Sequence, residues 1–414
     1  MDGEKVPTQR DPLTINRLPS IKTILLVTPL DLSVNGAGQI YLDSLIKGTK
    51  SAHFVPLRLP RMENLTYAPK SNIFIRATTS LLARFALWQN ITLSLYTRST
   101  VLKDVEQVRI AAASNADCTV WITLSSLKSV LLAYELVQAG VQVRVTIWDE
   151  LNYLLRSQSI GDSLATQLRQ AYTRVLRKAR TVSVIGSGMR DLYQRTLGVE
   201  SIIIRPASIV IPPPPLVRKG HKSLRLVFAG SLYAKGEWNS LVLALDKAGW
   251  QINYRPVYIY FLGRFPLRGA ITRRNVAQLG YRTPDEARSI IEKCDIGYLP
   301  YWFSERYADV ARTSFPSKLS TYVSCGVSIL NHGPDYTEAT QLMSGKLFGA
   351  SCHSLDSTTI IEALTQLERT CRTDECQAAL LDLSSSVLSP EVMLSRFAEF
   401  LELESLRDVE IEEA

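Results

Sequence analysis

The stretch LRLVFAGSLYAKGEWNSL, residues 224–241, contains an apolar run, a glycine-bearing turn and the start of a periodic segment. The run LRLVF at 224–228 is typical of a strand that is buried on both faces. Downstream, apolar residues recur at helical spacing, which predicts a helix; they are Trp238, Leu241, Val242 and Leu245. The stretch is therefore a strand–turn–helix unit, the building block of sheets that carry helices on their faces.

The turn inside this unit has the residue types that bind phosphate. Gly230 lets the backbone approach an anion, Ser231 adds a hydroxyl, and Lys235 supplies a positive charge. A P-loop needs G-x-x-x-x-G-K-[ST], whereas Lys235 precedes Gly236 here and no Ser or Thr follows. Two interpretations stay open at this point: an anion site of another kind, or a plain connection with a solvated lysine.

The same rhythm of strands and helices occurs in the first half of the chain. An apolar run at 24–28 is followed by a glycine-bearing loop at 35–38, and further strand-like runs occupy 119–123, 143–148 and 182–185. Helical patterns at 125–139 and 160–179 separate them. Strands that alternate with helices predict an α/β, doubly wound parallel sheet in each half of the chain.

Four consecutive prolines at 212–215 interrupt this rhythm. Because proline removes a backbone donor, such a run favours a stiff connector over a strand or helix. We expect two domains, an amino-terminal one at 21–208 and a carboxyl-terminal one at 223–385, joined by a proline-rich linker at 209–222. A disordered leader at 1–20 precedes them. A helix at 386–404, which can cross back to the first domain, and an acidic tail at 405–414 follow them.

Composition limits the class of protein. The chain has 414 residues, 46% of them hydrophobic, and a net charge of +8, which fits anionic ligands, anionic lipid surfaces or nucleic acid. It shows neither the apolar run of a transmembrane helix nor that of a signal peptide. The 6 cysteines are scattered and form no C-x-x-C pair. We therefore expect a cytoplasmic protein with reduced thiols.

Four stretches together carry a resemblance: 149–198, 228–236 (FAGSLYAKG), 261–264 with 279–300, and 315–330 (FPSKLSTYVSCGVSIL). Their order and spacing resemble the retaining glycosyltransferases of the GT-B fold, the family 4-like group that includes sucrose, mannosyl and lipopolysaccharide core transferases. This resemblance implies two Rossmann-like, doubly wound domains that face each other across a cleft. It also implies that the first domain binds the acceptor and the second a nucleotide-diphosphate sugar.

The resemblance implies a donor site built from both domains. Its loops carry the glycines of the first domain, the anion-binding turn, the nucleotide contacts and the start of a phosphate-binding helix, which correspond here to Gly36, Gly38, Gly230, Ser231, Lys235, Arg264, Tyr281, Ser317, Lys318 and Leu319. Backbone amides at a helix start bind phosphate well. A helix capped without a ligand and a surface lysine would explain 317–319 equally well.

Two positions depart from the family pattern. Thr313 and Thr321 stand where many relatives carry glutamates, the second of which grips the donor ribose. Where relatives often have His-Asp after a strand, this chain has Trp148-Asp149-Glu150. We expect Asp149 and Glu150 to contact the sugar or acceptor, or to act as base for an acceptor hydroxyl; acids that favour a helix amino terminus are the alternative.

No D-x-D pair occurs, so the resemblance implies transfer without a metal or other cofactor, with the nucleotide-diphosphate sugar as co-substrate. We expect Lys235 to act catalytically in place of the cation, its charge and the helix amides stabilising the leaving diphosphate. Retention in this family is assigned to front-face attack, in which the leaving phosphate takes the acceptor proton. The main hypothesis is therefore a hexosyltransferase acting on a glycan, lipid-linked or small-molecule acceptor. Alternatives are a non-catalytic nucleotide-sugar-binding or partner-binding protein and, less favoured, a sugar-nucleotide epimerase.

Residues 76–98 mix arginines with apolar residues. Such a pattern fits a helix that binds the inner face of an anionic membrane peripherally, although a core-packing helix is the simpler interpretation. Nucleic acid is not favoured as a partner, because no base-reading motif occurs.

Overall fold

A computed structural model describes residues 22–29, 37–57, 59, 100–115, 118–157, 160, 162–207, 222–264 and 266–403. These residues form two lobes, each built around a parallel sheet. The predicted leader, the linker up to residue 221, the acidic tail, Gly36 and the segment 76–98 lie outside the described residues. The predicted α/β, doubly wound class is confirmed.

The sheet of the amino-terminal lobe has six parallel strands in the order β2-β1-β3-β4-β5-β6. Its strands are β1 (Lys22–Val27), β2 (Ala52–Pro56), β3 (Cys118–Thr123), β4 (Val143–Ile147), β5 (Thr181–Val184) and β6 (Ile202–Ile203). Every residue of the central strand β4 is buried. This burial explains the unbroken apolar runs, because helices cover both faces of such a sheet.

The described helices of this lobe are α1 (Ala37–Gly48), α2 (Leu102–Ala113), α3 (Leu127–Gln138), α4 (Leu151–Ser157), α5 (Asp162–Lys178) and α6 (Ser187–Leu197). Local chemistry sets several of their ends. Ser126 caps α3 by accepting a hydrogen bond from the Ser129 amide, and Gly198 ends α6 in the left-handed conformation.

The sheet of the carboxyl-terminal lobe has the order β10-β9-β7-β11-β12-β13, all parallel, with β8 antiparallel to β9. Its strands are β7 (Leu224–Ala229), β8 (Gln251–Ile252), β9 (Arg255–Leu262), β10 (Val276–Gln278), β11 (Ile296–Pro300), β12 (Ser328–His332) and β13 (Gly349–Cys352). The strand order reverses between β7 and β11, and ligands bind at the carboxyl ends of strands at such a point.

The helices of this lobe are α7 (Lys235–Lys247), α8 (Pro284–Ile291), α9 (Ala308–Thr313), α10 (Ser317–Ser324), α11 (Glu338–Met343), α12 (Ser357–Thr370) and α13 (Asp374–Ser385). Thr283 and Glu286 form a capping box at α8, with Pro284 at its first position. Within the described part of the chain, no helix has the length and apolar character needed to cross a membrane.

The last helix, α14 (Pro390–Leu401), crosses back and packs on the amino-terminal sheet. The ring of Phe397 lies 4.9 Å from that of Trp121 on β3. The Arg144 guanidinium donates to the Phe400 carbonyl at 2.7 Å and to Glu402 at 2.8 Å. The end of the chain therefore fastens the second lobe to the first.

Candidate functional site

The turn after β7 comes close to helix α10. Gly230 has φ 107°, a conformation that favours glycine, and its amide donates to the Leu262 carbonyl at 2.7 Å. A Cβ added to Gly230 would lie 3.3 Å from Cε of Lys318. Glycine at this position therefore permits both the turn and the approach of the Lys318 side chain.

Lys318 has no carboxylate partner among the described residues. Its ammonium lies 4.7 Å from the ring centre of Tyr233 and 5.3 Å from that of Phe228. Burial lowers the pKa of Lys318 to about 8, because a charged group loses solvation there. A half-buried cation held by aromatic faces alone, without a counter-ion, is a natural place for an anion.

The first amides of α10 add to this positive region. Pro316 precedes the helix and supplies no side-chain cap, and within the described ranges the amides of Ser317 and Lys318 have no acceptor. Leu319 was predicted to contribute a third amide, and that prediction is wrong. Its amide donates to the Pro316 carbonyl at 2.8 Å, because the first turn tightens, and its side chain is fully buried.

Lys235 and Ser231 lie on the same turn, both exposed. Lys235 is the first residue of α7, and its ammonium lies 3.6 Å from the position that a Cβ on Gly269 would occupy. Lys235 thus faces the segment between β9 and β10, whereas Lys318 faces Gly230. The exposed Lys235 follows this turn directly, and the half-buried Lys318 approaches it from α10. Donor binding by either lysine stays a prediction.

Arg264 and Tyr281 come together beyond the end of β9. The guanidinium carbon of Arg264 lies 5.6 Å from the ring centre of Tyr281, whose side chain is 43% exposed. An exposed aromatic ring beside a planar cation is suited to stacking on a nucleotide base. The structure brings the two residues together, and base binding by this pair stays a prediction.

Asp149 and Glu150 follow β4 at the carboxyl edge of the amino-terminal sheet. Glu150 accepts hydrogen bonds from the Asn152 amide at 2.7 Å and the Asn152 side chain at 3.2 Å. Asp149 has no hydrogen bond within the described ranges, and burial raises its pKa. Asp149 also raises the pKa of Tyr301 in the other lobe, after the larger effects of burial, Tyr233 and Glu338. The Asp149 carboxylate is therefore close enough to the other lobe to affect Tyr301 electrostatically.

Of the two glycines predicted to bind the donor from the amino-terminal lobe, the described residues include Gly38. Gly38 lies in the first turn of α1, near Tyr41, whose hydroxyl donates to the Ile204 carbonyl at 2.8 Å. The Tyr41 ring lies 5.7 Å from that of Trp148. This helix start therefore lies at the same edge as Asp149. Gly36 is outside the described residues.

The two threonines at the family's glutamate positions bond to their own helices. Thr313 is buried, and its hydroxyl donates to the Asp309 carbonyl at 2.8 Å. The Thr321 side chain is exposed, and its hydroxyl donates to the Ser317 carbonyl at 3.3 Å. Only Thr321 is placed to accept a bond from a ligand, and its donor-binding role stays a prediction.

Sequence analysis missed a buried ionic contact between the lobes. The Glu338 carboxylate, 2% exposed, accepts from the Ser187 amide and from Arg205, both at 2.8 Å. A Cβ on Gly186 would overlap this carboxylate, and one on Gly188 would overlap the Arg312 carbonyl. The available signal was the G-S-G triplet at the start of α6, which permits this close approach.

A column of rings in the carboxyl-terminal lobe ends near a salt bridge between the lobes. Trp302 lies between Tyr233, at 4.5 Å, and Tyr307, at 4.6 Å, measured between ring centres. Just beyond Tyr307, Arg156 of α4 forms two bonds to Asp309, at 2.7 and 2.8 Å. The aromatic support of Lys318 thus continues to a salt bridge with the amino-terminal lobe.

A metal site does not emerge from the described residues: no three histidine, cysteine, aspartate or glutamate side chains lie together there. His332 is buried, bonded through its ring nitrogens to the Tyr298 hydroxyl at 2.8 Å and the Ser354 carbonyl at 2.9 Å. Burial lowers the pKa of His332 to about 4, so this ring is neutral. Both of its nitrogens already have hydrogen-bond partners.

Solved structures share this two-lobed architecture. Sucrose-phosphate synthase from Thermosynechococcus elongatus is similar with a TM-score of 0.63 and 11% identity, over 92% of this chain and 98% of that chain. A trehalose-6-phosphate structure from E. coli bound with UDP-2-fluoro glucose has a TM-score of 0.61 and 11% identity, over 92% and 99%. An α,α-trehalose-phosphate synthase (UDP-forming) from Burkholderia xenovorans in complex with glucose-6-phosphate has a TM-score of 0.57 and 12% identity, over 92% and 100%.

No protein-family model and no curated protein sequence matches the chain. The structural likeness at 11–12% identity shows the fold. The chain has the GT-B fold, with two Rossmann-like lobes, as the resemblance in its sequence implied.

Proposed function

We propose that this protein is a glycosyltransferase that moves a hexose from a nucleotide-diphosphate sugar to a glycan, lipid-linked or small-molecule acceptor, with retention. The observation that carries the proposal is Lys318, which has no carboxylate partner among the described residues and lies beside Gly230 at the end of β7. A cation left without a counter-ion where the strand order reverses marks the seat of an anionic ligand.

The donor diphosphate would lie between the side-chain ammonium of Lys318 and the backbone amides of Ser317 and Lys318. Charge and backbone donors then converge on one group from the same helix start. Lys235 and Ser231 on the preceding turn would bind the outer phosphate oxygens. Arg264 and Tyr281, at the end of β9, would hold the base. Support for this arrangement comes from sheet order, since β9 is next to β7 and β7 is next to β11.

The reaction breaks the bond between the sugar anomeric carbon and the diphosphate oxygen. That oxygen keeps the bonding electrons, so negative charge grows on the diphosphate, where Lys318 and the helix amides stabilise it. The acceptor oxygen bonds to the same face of the carbon, and its proton passes to the departing phosphate. Asp149 would hold a hydroxyl of the sugar or acceptor through its otherwise unbonded carboxylate, while Asn152 keeps Glu150 in place.

The decisive experiment compares Lys318→Met with Lys247→Met. Lys247 closes helix α7, so its replacement removes the same charge far from the site. With UDP- and GDP-sugars and an acceptor panel, Lys318→Met should lower release of nucleotide diphosphate by about 10²–10³-fold, the typical effect of losing one stabilising donor. Lys247→Met should leave the rate unchanged. Equal rates for wild type and Lys318→Met would reject the assignment.

A second candidate is a non-catalytic protein that binds a nucleotide sugar. It is favoured by Thr313 and Thr321, since each hydroxyl already bonds to its own helix and neither residue brings a charge. This candidate predicts nucleotide binding that Lys318→Met weakens, with no release of nucleotide diphosphate from any donor. Release in the presence of one acceptor rejects it.

The similar solved structures bear on one of the three proposed acceptor classes. The glucose-6-phosphate in the Burkholderia xenovorans complex supports a small-molecule acceptor for this chain, whereas lipid-linked and glycan acceptors rest on the resemblance in sequence. We further propose a cytoplasmic location, with peripheral contact to the inner membrane face if the acceptor is lipid-linked. Vesicle sedimentation with and without anionic lipid tests that contact.

A further inference from the structure

A groove of about 430 Å³, separate from the proposed donor site, lies between the start of α6, strand β6 and helix α14. It contains none of the residues proposed above for the donor. Three arginines from these separate elements line it, namely Arg190, Arg205 and Arg396, and apolar side chains that include Ile203 and Val392 complete the lining. The groove therefore combines several guanidinium groups with an apolar surface, which suits an anion attached to a small body.

Two of the three guanidinium groups have weak, exposed partners. Arg190 pairs with Asp191 at 2.8 Å, with side-chain exposures of 47% and 52%. Arg396 pairs with Glu399 at 2.8 Å, with exposures of 56% and 50%. Exposed pairs of this kind contribute little to stability. A phosphate could therefore take over both guanidinium groups while the two carboxylates return to water.

A serine hydroxyl in the lining has no hydrogen-bond partner among the described residues. It belongs to Ser201, just before β6, whose Oγ is buried. Buried polar atoms are normally paired, so an orphan atom calls for an explanation. A ligand oxygen in the groove would supply the missing bond.

We propose that this groove is a binding site for a phosphate monoester, with the phosphate on Arg190, Arg396 and the Ser201 hydroxyl, and its organic body on Ile203 and Val392. The guanidinium fork matches two phosphate oxygens at once. The site goes beyond the proposed transferase function and does not depend on it.

Arg205 connects the groove with the donor side of the molecule. It pairs with Glu338 of the other lobe at 2.6 Å, and its guanidinium carbon lies 5.9 Å from the ring centre of Phe315, two residues before α10. The next carbonyl, of Pro206, accepts from the Ser320 hydroxyl at 2.5 Å. An anion that draws Arg205 toward the groove would weaken its bond to Glu338 and shift the start of α10.

The test uses phenyl phosphate as probe and phenol as the neutral control, in a Lys318→Met background that removes the donor-side cation. Calorimetry should show one phenyl phosphate bound and no phenol. Arg396→Ala should weaken binding at least tenfold. Arg195→Ala removes an arginine of α6 outside the groove lining and should leave the affinity unchanged.

Ser201→Ala provides a variant that loses no hydrogen bond within the described part of the chain, because its Oγ makes none there. It should fold as the wild type does and bind phenyl phosphate several-fold more weakly. No binding at millimolar probe, or equal affinity in wild type, Arg396→Ala and Ser201→Ala, would overturn the proposal. Because the background already lacks Lys318, such a failure would not bear on the transferase assignment.

Discussion

Glu338 and Lys318 are charged residues of the same lobe, the first buried and the second half-buried, with opposite surroundings. Glu338 is 2% exposed and accepts bonds from the amide of Ser187 and the guanidinium of Arg205. Lys318 contacts the faces of Tyr233 and Phe228 and has no carboxylate partner in the described part of the chain. The satisfied charge holds the lobes together, whereas the unsatisfied one is available to a ligand. Partners, more than burial, distinguish a structural charge from a binding one.

The sharpest challenge to this comparison is Glu338→Ala. It leaves the Arg205 guanidinium and the Ser187 amide without their partner between the lobes, so the free energy of unfolding should fall by about 3–5 kcal/mol. Urea denaturation measures it. Glu399→Ala, which removes an exposed pair with Arg396, should cost less than about 1 kcal/mol. Similar losses for the two variants would show that the interlobe contact is not special.

The fit of the lobes around Glu338 is tested by Gly188→Ala. The new methyl group would overlap the Arg312 carbonyl, and such overpacking costs about 1–3 kcal/mol. Gly236→Ala is the matched control for Gly188→Ala, since both glycines are the second residue of a helix. No atom of the described residues lies within 4 Å of a Cβ placed at Gly236. Thermal unfolding should show Gly236→Ala unchanged or stabilised, so a Gly188→Ala protein as stable as wild type would contradict the interlobe fit.

Lys318→Met should act in the opposite direction on stability. Removing a poorly solvated cation without a partner should raise the free energy of unfolding by about 1 kcal/mol at pH 7. Because the folded pKa of Lys318 is lowered from 10.5 to about 8, wild-type stability should increase as pH rises from 8 towards 10.5, and the advantage of the variant should disappear. Denaturation at pH 7, 9 and 10.5 checks the sign, and a destabilised variant would mean that Lys318 has a structural partner.

The smallest expected change in stability concerns Glu402, whose carboxylate is paired but exposed. Arg144 and Arg180 hold the pKa of its carboxyl at about 2, below the usual 4.5. The resulting stability is present above pH 4.5 and is lost as pH falls towards 2. Glu402 is 40% exposed, so solvent screening keeps the effect below about 1 kcal/mol. Acid titrations of wild type and Glu402→Gln should converge at low pH; a constant difference would exclude this ion pair as its source.

Much of the fold could be predicted from short stretches of sequence. The strand predicted at 182–185 is β5 (Thr181–Val184), and the helix predicted at 160–179 contains α5 (Asp162–Lys178). These features depend on apolar runs and helical periodicity, which act over a few residues. The same local reasoning located the glycine-bearing turn after β7 and the start of α10.

Predictions about individual contacts at the site were less complete. Leu319 lies in the predicted helix start, yet its amide bonds to Pro316. Glu338, Gly188 and Tyr233 were not proposed for any role, although the first two shape the interlobe contact and the third holds the Lys318 ammonium. Their partners are distant in sequence, so a local pattern such as the G-S-G triplet can indicate a close approach but cannot identify the partner.

The sequence by itself determined the two strand–helix repeats and the glycine-bearing turn after β7, because these depend on forces between near neighbours in the chain. The tertiary structure alone decided which charges have partners. Glu338 meets Ser187 across 151 positions of sequence, whereas the Lys318 ammonium meets aromatic rings and, among the residues that the structure describes, no carboxylate. Whether a charge is neutralised depends on distances in space, and those are set only when the two sheets pack against each other.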